Sequence, residues 1–524
     1  MKKLLAILLA AMLCLGIFAG CAPSETPAPS SEPAAPSGSE PASEEPISTK
    51  LCDEPTKLYV YDNWDNVPTT DRDNEIHDLI LEATGVDLQM PVCADYYNNR
   101  AVFLTSDEPI DLMLESCWWA TDLIGQGAYQ PVTKLVEQYG TEFNTTYNKT
   151  GAHNFTVWSG EVYGMGGYNA QSLYGIWVNK TMLDELNLKV PTTMDEMNTV
   201  LYAMKKADAE SYPLIANWTW LQRCFEGSFT ESYMDWYDET TGTLKPDFMM
   251  PGYTTFLTQV KTWYADGILP DFINPAVYTN DLFQTALMTG KVGVFCENYN
   301  NAPNFIKQVQ EVHPEVEYVF IGELTGTDGR SGYEPRPIIP YFYAVPAKSE
   351  NPELAIKFLN WAMSEEGFML MTYGVEGVDY EFNANGELIK KSDYTGCWCM
   401  TDAVGKVYAP VLEGTDLSEG SSAWYIAQYG ESGILVPQDS YGVNMDLSSI
   451  STAMKDQNNA DTTMVKEAYA KYMWADATLE DWQAAIKTYE TNNAEYMAAR
   501  TAIYEQALED LGTDVAGVRA SLGK

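Results

Sequence analysis

Histidine is nearly missing from this chain: three among 524 residues, at His77, His153 and His313. That excludes His-rich metal chemistry, and each of the three, isolated in sequence, reads as a surface or internally satisfied histidine. Basic residues are scarce as well, with 31 Lys and Arg against 74 Asp and Glu and a formal net charge of −43. Phosphate recognition needs a basic face, so nucleic acid is excluded as a partner, and so is a polybasic membrane clamp. No G-x-S-x-G, H-E-x-x-H or glycine-rich phosphate loop occurs. No second close cysteine pair accompanies Cys397-Trp398-Cys399, so no four-ligand zinc site is expected. The odd set Cys52, Cys93, Cys117, Cys224, Cys296, Cys397 and Cys399 reads mostly as buried free thiols, with one or two disulfides open in an oxidising compartment. The expectation is a protein without metal or cofactor, and not an enzyme.

What is present is a globular composition, 45% apolar and 20% charged, on a chain long enough for about three domains or two large ones. Aromatics are abundant: 34 Tyr, 17 Phe and 14 Trp. The N-terminus is Met1-Lys2-Lys3 followed by an apolar run from Leu4 to Phe18, too short to span a ~30 Å hydrocarbon core comfortably. It has the shape of a cleaved signal peptide over residues 1–20. Ala19-Gly20-Cys21 resembles the lipobox of bacterial lipoproteins, with Phe18 where Leu is usual. That resemblance implies cleavage before Cys21 and a lipid on it. Residues 22–50 are rich in Pro, Ser, Ala and Glu, without an aromatic. Such a segment cannot offset its ordering entropy and reads as a disordered tether reaching up to ~90 Å. The expected location is the extracytoplasmic face of a bacterial cell membrane.

From Lys57 the pattern is strand, helix, strand. Leu58–Tyr61 is a short strand, residues 74–84 carry Ile76, Leu79, Ile80 and Ala83 at helical spacing, and Val86–Met90 alternates. Ile110–Leu114 is a further buried run. The alternation predicts an α/β fold with a parallel sheet, in which ligands lie beyond the carboxyl ends of the strands. Thr193 and Glu196 have capping-box spacing, Asn351-Pro352 opens another helix, and a long helical stretch runs from Thr478 to Leu511 before Gly512.

Four stretches carry a family resemblance: Gly160-Glu-Val-Tyr-Gly-Met165; Trp177-Val-Asn-Lys180 with Leu183 to Glu196; Thr289-Gly-Lys-Val-Gly-Val-Phe295; and Asn351 to Trp361, running on to Tyr373-Gly-Val-Glu-Gly377 and Tyr380. In this order they resemble the carbohydrate-binding branch, family 1, of the extracellular solute-binding proteins of bacterial ABC importers. The resemblance implies a two-lobed periplasmic-binding-protein fold (type II-like), with a hinge and a ligand cleft between the lobes. It places lobe 1 at 51–172 and 296–347 and lobe 2 at 173–295 and 348–524. Crossings would fall near Tyr168–Gly175, Phe295–Asn301 and Ala344–Ser349. The implied partners are a small-molecule or oligosaccharide ligand, the permease subunits and, through the lipid, the membrane; the implied state is a monomer. Many larger family members carry a calcium loop after the helix that begins like Thr193. Here Lys205–Ile215 lacks its glycine and alternating oxygens, and Asp71-Arg-Asp-Asn-Glu75 starts like such a loop but does not complete it.

A sugar presents C–H faces to aromatic rings and hydroxyl edges to polar groups. Candidates are the aromatic and polar residues at strand ends: Trp64 with Asp65; Trp118 and Trp119 with Asp122; Trp218 and Trp220; and Glu297 with Asn298. The family resemblance adds Tyr299 as a stacking ring, and Tyr168 lies at the first crossing. Chance pairs of carboxylates among 74 acids are no evidence for a glycoside hydrolase. The alternatives kept open are a surface glycan-capture lipoprotein without a transporter and a receptor for a peptide or an amine.

Overall fold

Leu58 and Val60, fully or nearly fully buried, anchor β1 (Thr56–Tyr61) in the first core. The computed structural model describes residues 50–62, 70–117, 119–147, 152–167, 174–333, 339, 341–394, 396, 407–429 and 438–522. Thr70 fixes the next helix: its hydroxyl accepts from the Asp73 amide at 3.0 Å, and its own amide donates to the Asp73 carboxylate at 2.9 Å. This capping box opens α1 (Asp71–Thr84), and Gly85 at φ 78° closes it. The Asp71–Glu75 segment is therefore the first turn of a helix. β2 (Val86–Gln89), α2 (Tyr96–Thr105) and β3 (Leu112–Ser116) follow. β1 runs parallel to β2, Leu58 beside Leu88, and parallel to β3, Val60 beside Leu112. The expected parallel strand–helix–strand unit is present.

After α3 (Ala120–Gly125) and α4 (Thr133–Tyr139), a hairpin pairs β4 (Val157–Trp158) with β5 (Glu161–Val162). Its turn residues Ser159 and Gly160 have φ 50° and 74°, the primed geometry that strand twist favours. β6 (Gly164–Met165) ends the G-x-x-Y-G element.

The second sheet is built from β7 (Tyr174–Asn179), α5 (Lys180–Glu185), α6 (Met194–Ala207), β8 (Tyr212–Ile215), α7 (Trp218–Phe225), a hairpin of β9 (Asp235–Asp238) and β10 (Thr243–Pro246), α8 (Pro251–Ala265), α9 (Asn280–Leu287), β11 (Val292–Asn298), α10 (Ala302–Val312) and β12 (Tyr318–Phe320). Its order is β12-β7-β11-β8, the hairpin standing apart. β7 is buried on both faces, Ile176 and Val178 in one core and Trp177 in the other. Thr193 caps α6 through the Glu196 amide at 3.2 Å, but the Glu196 carboxylate bonds Thr192, one residue before the reciprocal position. Asp208 at the end of α6 accepts from Lys291 Nζ at 2.9 Å, so the Lys205–Ile215 segment uses this carboxylate in an ion pair.

β13 (Tyr341–Ala344) returns to the first sheet, whose order is β2-β1-β3-β13-β6, with β13 antiparallel to β3 and β6. α11 (Pro352–Ala362) and α12 (Glu365–Tyr373) then bury Ile356, Phe358, Leu359 and Phe368 in the core that holds Leu58 and Val60. The lobe boundaries implied by the family resemblance therefore need correction. β11 and β12 hydrogen-bond β7, which puts 296–320 with the second sheet, and 348–373 packs on the first. The segments near 295–301 and 344–349 do not cross. The former is a turn into α10, and Lys348 at the latter donates to the carbonyls of Phe103, Ser106 and Glu108 at 2.7–3.0 Å. The chain leaves the first sheet after β6, joins the second at β7 and returns to the first at β13; of the crossing expected near Tyr168–Gly175, residues 168–173 lie outside the described residues.

β14 (Tyr380–Phe382) and β15 (Leu388–Lys390) form a further hairpin, and α13 (Ser422–Tyr429) lays Tyr425 edge-on to Trp177. The C-terminal helices are α14 (Thr452–Trp474), α15 (Leu479–Asn492), α16 (Ala494–Asp510) and α17 (Val515–Ser521). The stretch read as one long helix is broken at Asn493, whose buried amide donates to Asp461 at 2.9 Å and to the Tyr489 carbonyl at 3.1 Å. α16 bridges the two lobes: Met497 belongs to the second core, Tyr504 and Leu508 to the first. The β9–β10 hairpin lies along it, with Leu244 N donating to Thr501 Oγ1 at 2.9 Å. Among the described residues no helix is long and apolar enough to cross a membrane. Cys52, Cys93, Cys117, Cys224 and Cys296 are free thiols.

Candidate functional site

Two adjoining cavities lie past the carboxyl ends of β3 and β8. The first, about 490 Å³, is lined from lobe 1 by Arg100, Trp119, Thr121, Asp122 and Phe155, and from the bridging layer by Met234, Asp235 and residues of the 438–447 segment. The second, about 500 Å³, is lined by Trp218, Phe248, Tyr253, Trp482, Tyr489 and Tyr496, with Asp235, Asp247, Asn458, Lys466 and Arg500 among them. Asp235 and Leu447 line both, which makes them one groove.

Trp119 stands three positions after β3, at the N-cap of α3, and is 37% exposed. Tyr97 meets its ring edge-on at 4.8 Å, and the Arg100 guanidinium lies 5.5 Å from the ring centroid. Arg100 is held from behind by Glu115, which also accepts from Tyr129 Oη at 2.5 Å. Burial pushes the Glu115 carboxyl above its usual range, while Arg100 and Tyr129 pull it back. On the other side Trp218 opens α7, directly past β8; Asn217 caps that helix through the Trp220 amide at 2.8 Å. The Trp218 ring packs against Phe256, Tyr469 and Trp474 at 5.7–6.1 Å. Thus each lobe supplies one indole from the end of a parallel strand. Between them Arg500 Nη2 donates to both oxygens of Asp235 at 2.8 Å. Aromatic faces beside charge pairs and amides suit a polyhydroxylated ring.

Asp247 lies in the wall of the second cavity, its Oδ1 accepting from the Phe248 amide at 2.7 Å. Burial pushes its carboxyl up to about 6; the Phe248 amide and Lys466 oppose this, and the charge of Asp235 adds to it. The folded chain therefore binds this proton more tightly than the unfolded one. The contribution of this group to stability is greatest below the ordinary carboxyl range near ~4 and is lost as pH rises through about 6. Asp247→Asn is expected to raise the melting midpoint over the wild type at pH 7.5 and to raise it much less at pH 4, where the wild-type carboxyl is itself protonated. Thermal melts across that range check this; an unchanged profile contradicts it.

Of the residues singled out in the sequence, Trp119 and Asp122 share the first cavity and Trp218 lines the second. Trp220 instead packs against Tyr174 in a tilted pair at 5.2 Å, with the Arg223 guanidinium 5.1 Å from its centroid. Glu297 is buried, its carboxylate accepting from the Asn298 amide at 2.9 Å and from Asn301 Nδ2 at 3.2 Å. Asn298 in turn accepts from the Asn300 amide at 2.8 Å. Tyr299 is fully buried, stacked on Tyr425 at 5.6 Å and edge-on to Trp177 at 6.0 Å; in this structure its ring is packing and offers no face to the groove. Trp64, Asp65, Trp118 and Tyr168, and Cys21 with its leader and tether, lie outside the described residues. Sequence reading missed Arg100, Met234, Asp235, Tyr253 and Arg500. No local signal marks them, and the Tyr stripe of the C-terminal helices reads as packing.

The chain matches the model of the bacterial extracellular solute-binding protein family over residues 82–367, and belongs to that family. It is 27% identical to the polygalacturonan/rhamnogalacturonan-binding protein YtcQ of Bacillus subtilis over 265 residues, 48% of this chain and 52% of that protein. It is also 27% identical to lipoprotein LipO of the same organism over 246 residues, 43% of this chain and 47% of that one. The chain thus spans about half the length of the curated relatives it matches. Among solved structures it superposes on the alginate-binding protein AlgQ2 without calcium ion, with a TM-score of 0.61 at 18% identity, covering 87% of this chain and 99% of that one. An HMO-binding, ABC-transporter-associated solute-binding protein from Bifidobacterium longum infantis gives a TM-score of 0.61 at 15% identity, covering 88% and 100%. At these identities the likeness establishes the two-lobed α/β fold.

Proposed function

We propose that this protein is a lipid-anchored extracytoplasmic receptor that captures an oligosaccharide in the groove between its lobes and delivers it to the permease of an ABC importer. The observation that carries the reading is the pairing of Trp119 and Trp218, one from each lobe, on a groove that also holds the Asp235–Arg500 pair. A ligand touching both indoles bears on the interlobe hinge, and closure follows from its tighter binding to the closed form. YtcQ, named for binding polygalacturonan and rhamnogalacturonan, and the alginate-binding AlgQ2 make glycans the first class to test. The cleft uses its arginines on carboxylates already present, Arg100 on Glu115 and Arg500 on Asp235, which favours hydroxyl recognition over capture of a free anion.

The test is a thermal-shift panel of oligogalacturonides, alginate oligomers, maltotetraose, peptides and polyamines, each hit then checked for turnover by chromatography. A ligand at 100 times its Kd adds ~2.7 kcal/mol. A shift with one glycan class, recovered uncleaved, is the expected result. A shift with peptides or amines alone removes the carbohydrate, and cleavage of the glycan replaces the receptor with a hydrolase. For the anchor, Cys21→Ser is expected to move the protein from the detergent phase to the aqueous phase in detergent partitioning; an unmoved variant contradicts lipidation at Cys21.

A further inference from the structure

We infer that Met234 is a specificity-determining contact of the groove: its thioether chain forms an apolar seat for the C–H face of a sugar ring, and its backbone is held in a left-handed conformation that places it there. The inference rests on the receptor reading above.

Among the described residues four non-glycine residues have positive φ: Asp95 at 47°, Ser159 at 50°, Asn187 at 53° and Met234 at 64°. The first three have short polar side chains, the kind that bond their own backbone and tolerate this region. Methionine has no such compensation, and a glycine would fill a left-handed turn without strain. A strained conformation persists only where its surroundings over-determine it. Here they do, from both flanks. Ser232 Oγ donates to the Asp235 carbonyl at 2.7 Å and accepts from the Asp439 amide at 3.1 Å. The Tyr237 amide donates to Asp439 Oδ2 at 2.8 Å, and the fully buried Asp439 is gripped by Arg519 at 2.6 and 2.9 Å. These bonds bracket residues 232–237 and leave Met234 no room to relax.

The side chain so placed belongs to none of the hydrophobic cores. Met234 is 45% exposed and lines the first cavity, next to Asp235, which lines both. Gln438 Nε2 reaches its Sδ at 3.8 Å, steadying a chain that would otherwise sample many rotamers. An exposed, strained, large apolar residue in the wall of the first cavity, beside the Asp235 that joins it to the second, costs stability and adds nothing to the core. A polarizable, unbranched thioether adapts to an irregular apolar surface, and a sugar face is one.

The experiment compares Met234→Asn and Met234→Leu with the wild-type Thr49–Lys524 body, which forms a compact unit of its own. Melting midpoints are measured, together with calorimetric affinity for whichever of tetragalacturonate, an alginate tetramer or maltotetraose binds the wild type most tightly. Asn tolerates the left-handed turn but removes the seat: the midpoint is expected to rise by about 1–2 °C while affinity falls about tenfold. Leu keeps an apolar seat and is expected to hold affinity within about threefold. Unchanged affinity in Met234→Asn, or a lowered midpoint that accounts for its loss, overturns the inference while leaving the receptor reading intact. If none of the three glycans binds the wild type, the carbohydrate reading fails and this inference falls with it.

Discussion

Replacing Asp439 by Ala is expected to destabilise the chain by about 3 kcal/mol, because it breaks a buried ion pair by removing one partner. Asp439 has no solvent exposure. Its carboxylate accepts from Arg519 Nε at 2.6 Å, from Arg519 Nη2 at 2.9 Å and from the Tyr237 amide at 2.8 Å. Its carbonyl accepts from Tyr504 Oη at 2.5 Å, and its amide donates to Ser232. Truncation leaves Arg519 with the exposed Glu239 as its remaining carboxylate and strips the Tyr237 amide of its acceptor. The damage is not local. Tyr237 belongs to the β9–β10 hairpin, Tyr504 to α16 and Arg519 to α17, so one carboxylate joins three elements of the layer that bridges the lobes. Asp439→Asn keeps an acceptor for Tyr237 and should lose less. Urea unfolding monitored by fluorescence measures both; a loss below about 1 kcal/mol for the alanine variant would show that the network is dispensable.

The largest effect on function is expected at the two indoles. Trp119→Ala and Trp218→Ala should each weaken glycan binding by about 10- to 100-fold, the range of a buried aromatic anchor. The double variant should bind nothing measurable. The two differ in what else they do. Trp119 is 37% exposed and meets Tyr97 and Tyr341 edge-on and the Arg100 guanidinium, so its removal should lower the melting midpoint less than that of Trp218. Trp218 packs on Phe256 and Trp474, and its removal should lower the midpoint as well as the affinity. Trp119→Ala is therefore the cleaner test, and Trp220→Ala, whose ring packs on Tyr174 outside both cavities, serves as the comparison expected to keep affinity.

Much of the fold was legible because it depends on neighbours in sequence. The alternation around Leu58, Val86 and Leu112 gives three parallel strands. Lobe membership was not legible. Nothing in Tyr341–Ala344 says that Tyr343 will pair with Leu114 on one side and Met165 on the other, and nothing in Val292–Asn298 says that it joins Tyr174–Asn179. The site divides in the same way. Trp119 and Trp218 could be singled out because a strand end places them. Tyr299 follows a strand as well, but Tyr425 of α13, more than a hundred residues later, closes over its ring. Arg100, Met234 and Arg500 come together only through packing between elements distant in sequence: a helix of lobe 1, the loop before β9 and a C-terminal helix.

The most direct test of the receptor account is a calorimetric titration of the Thr49–Lys524 body with the glycan selected from the panel, run on the wild type and on Trp119→Ala. The account predicts one site, a glycan recovered uncleaved, and an affinity at least tenfold weaker in the variant. Equal affinity in both proteins, or smaller sugars released during the titration, would contradict it.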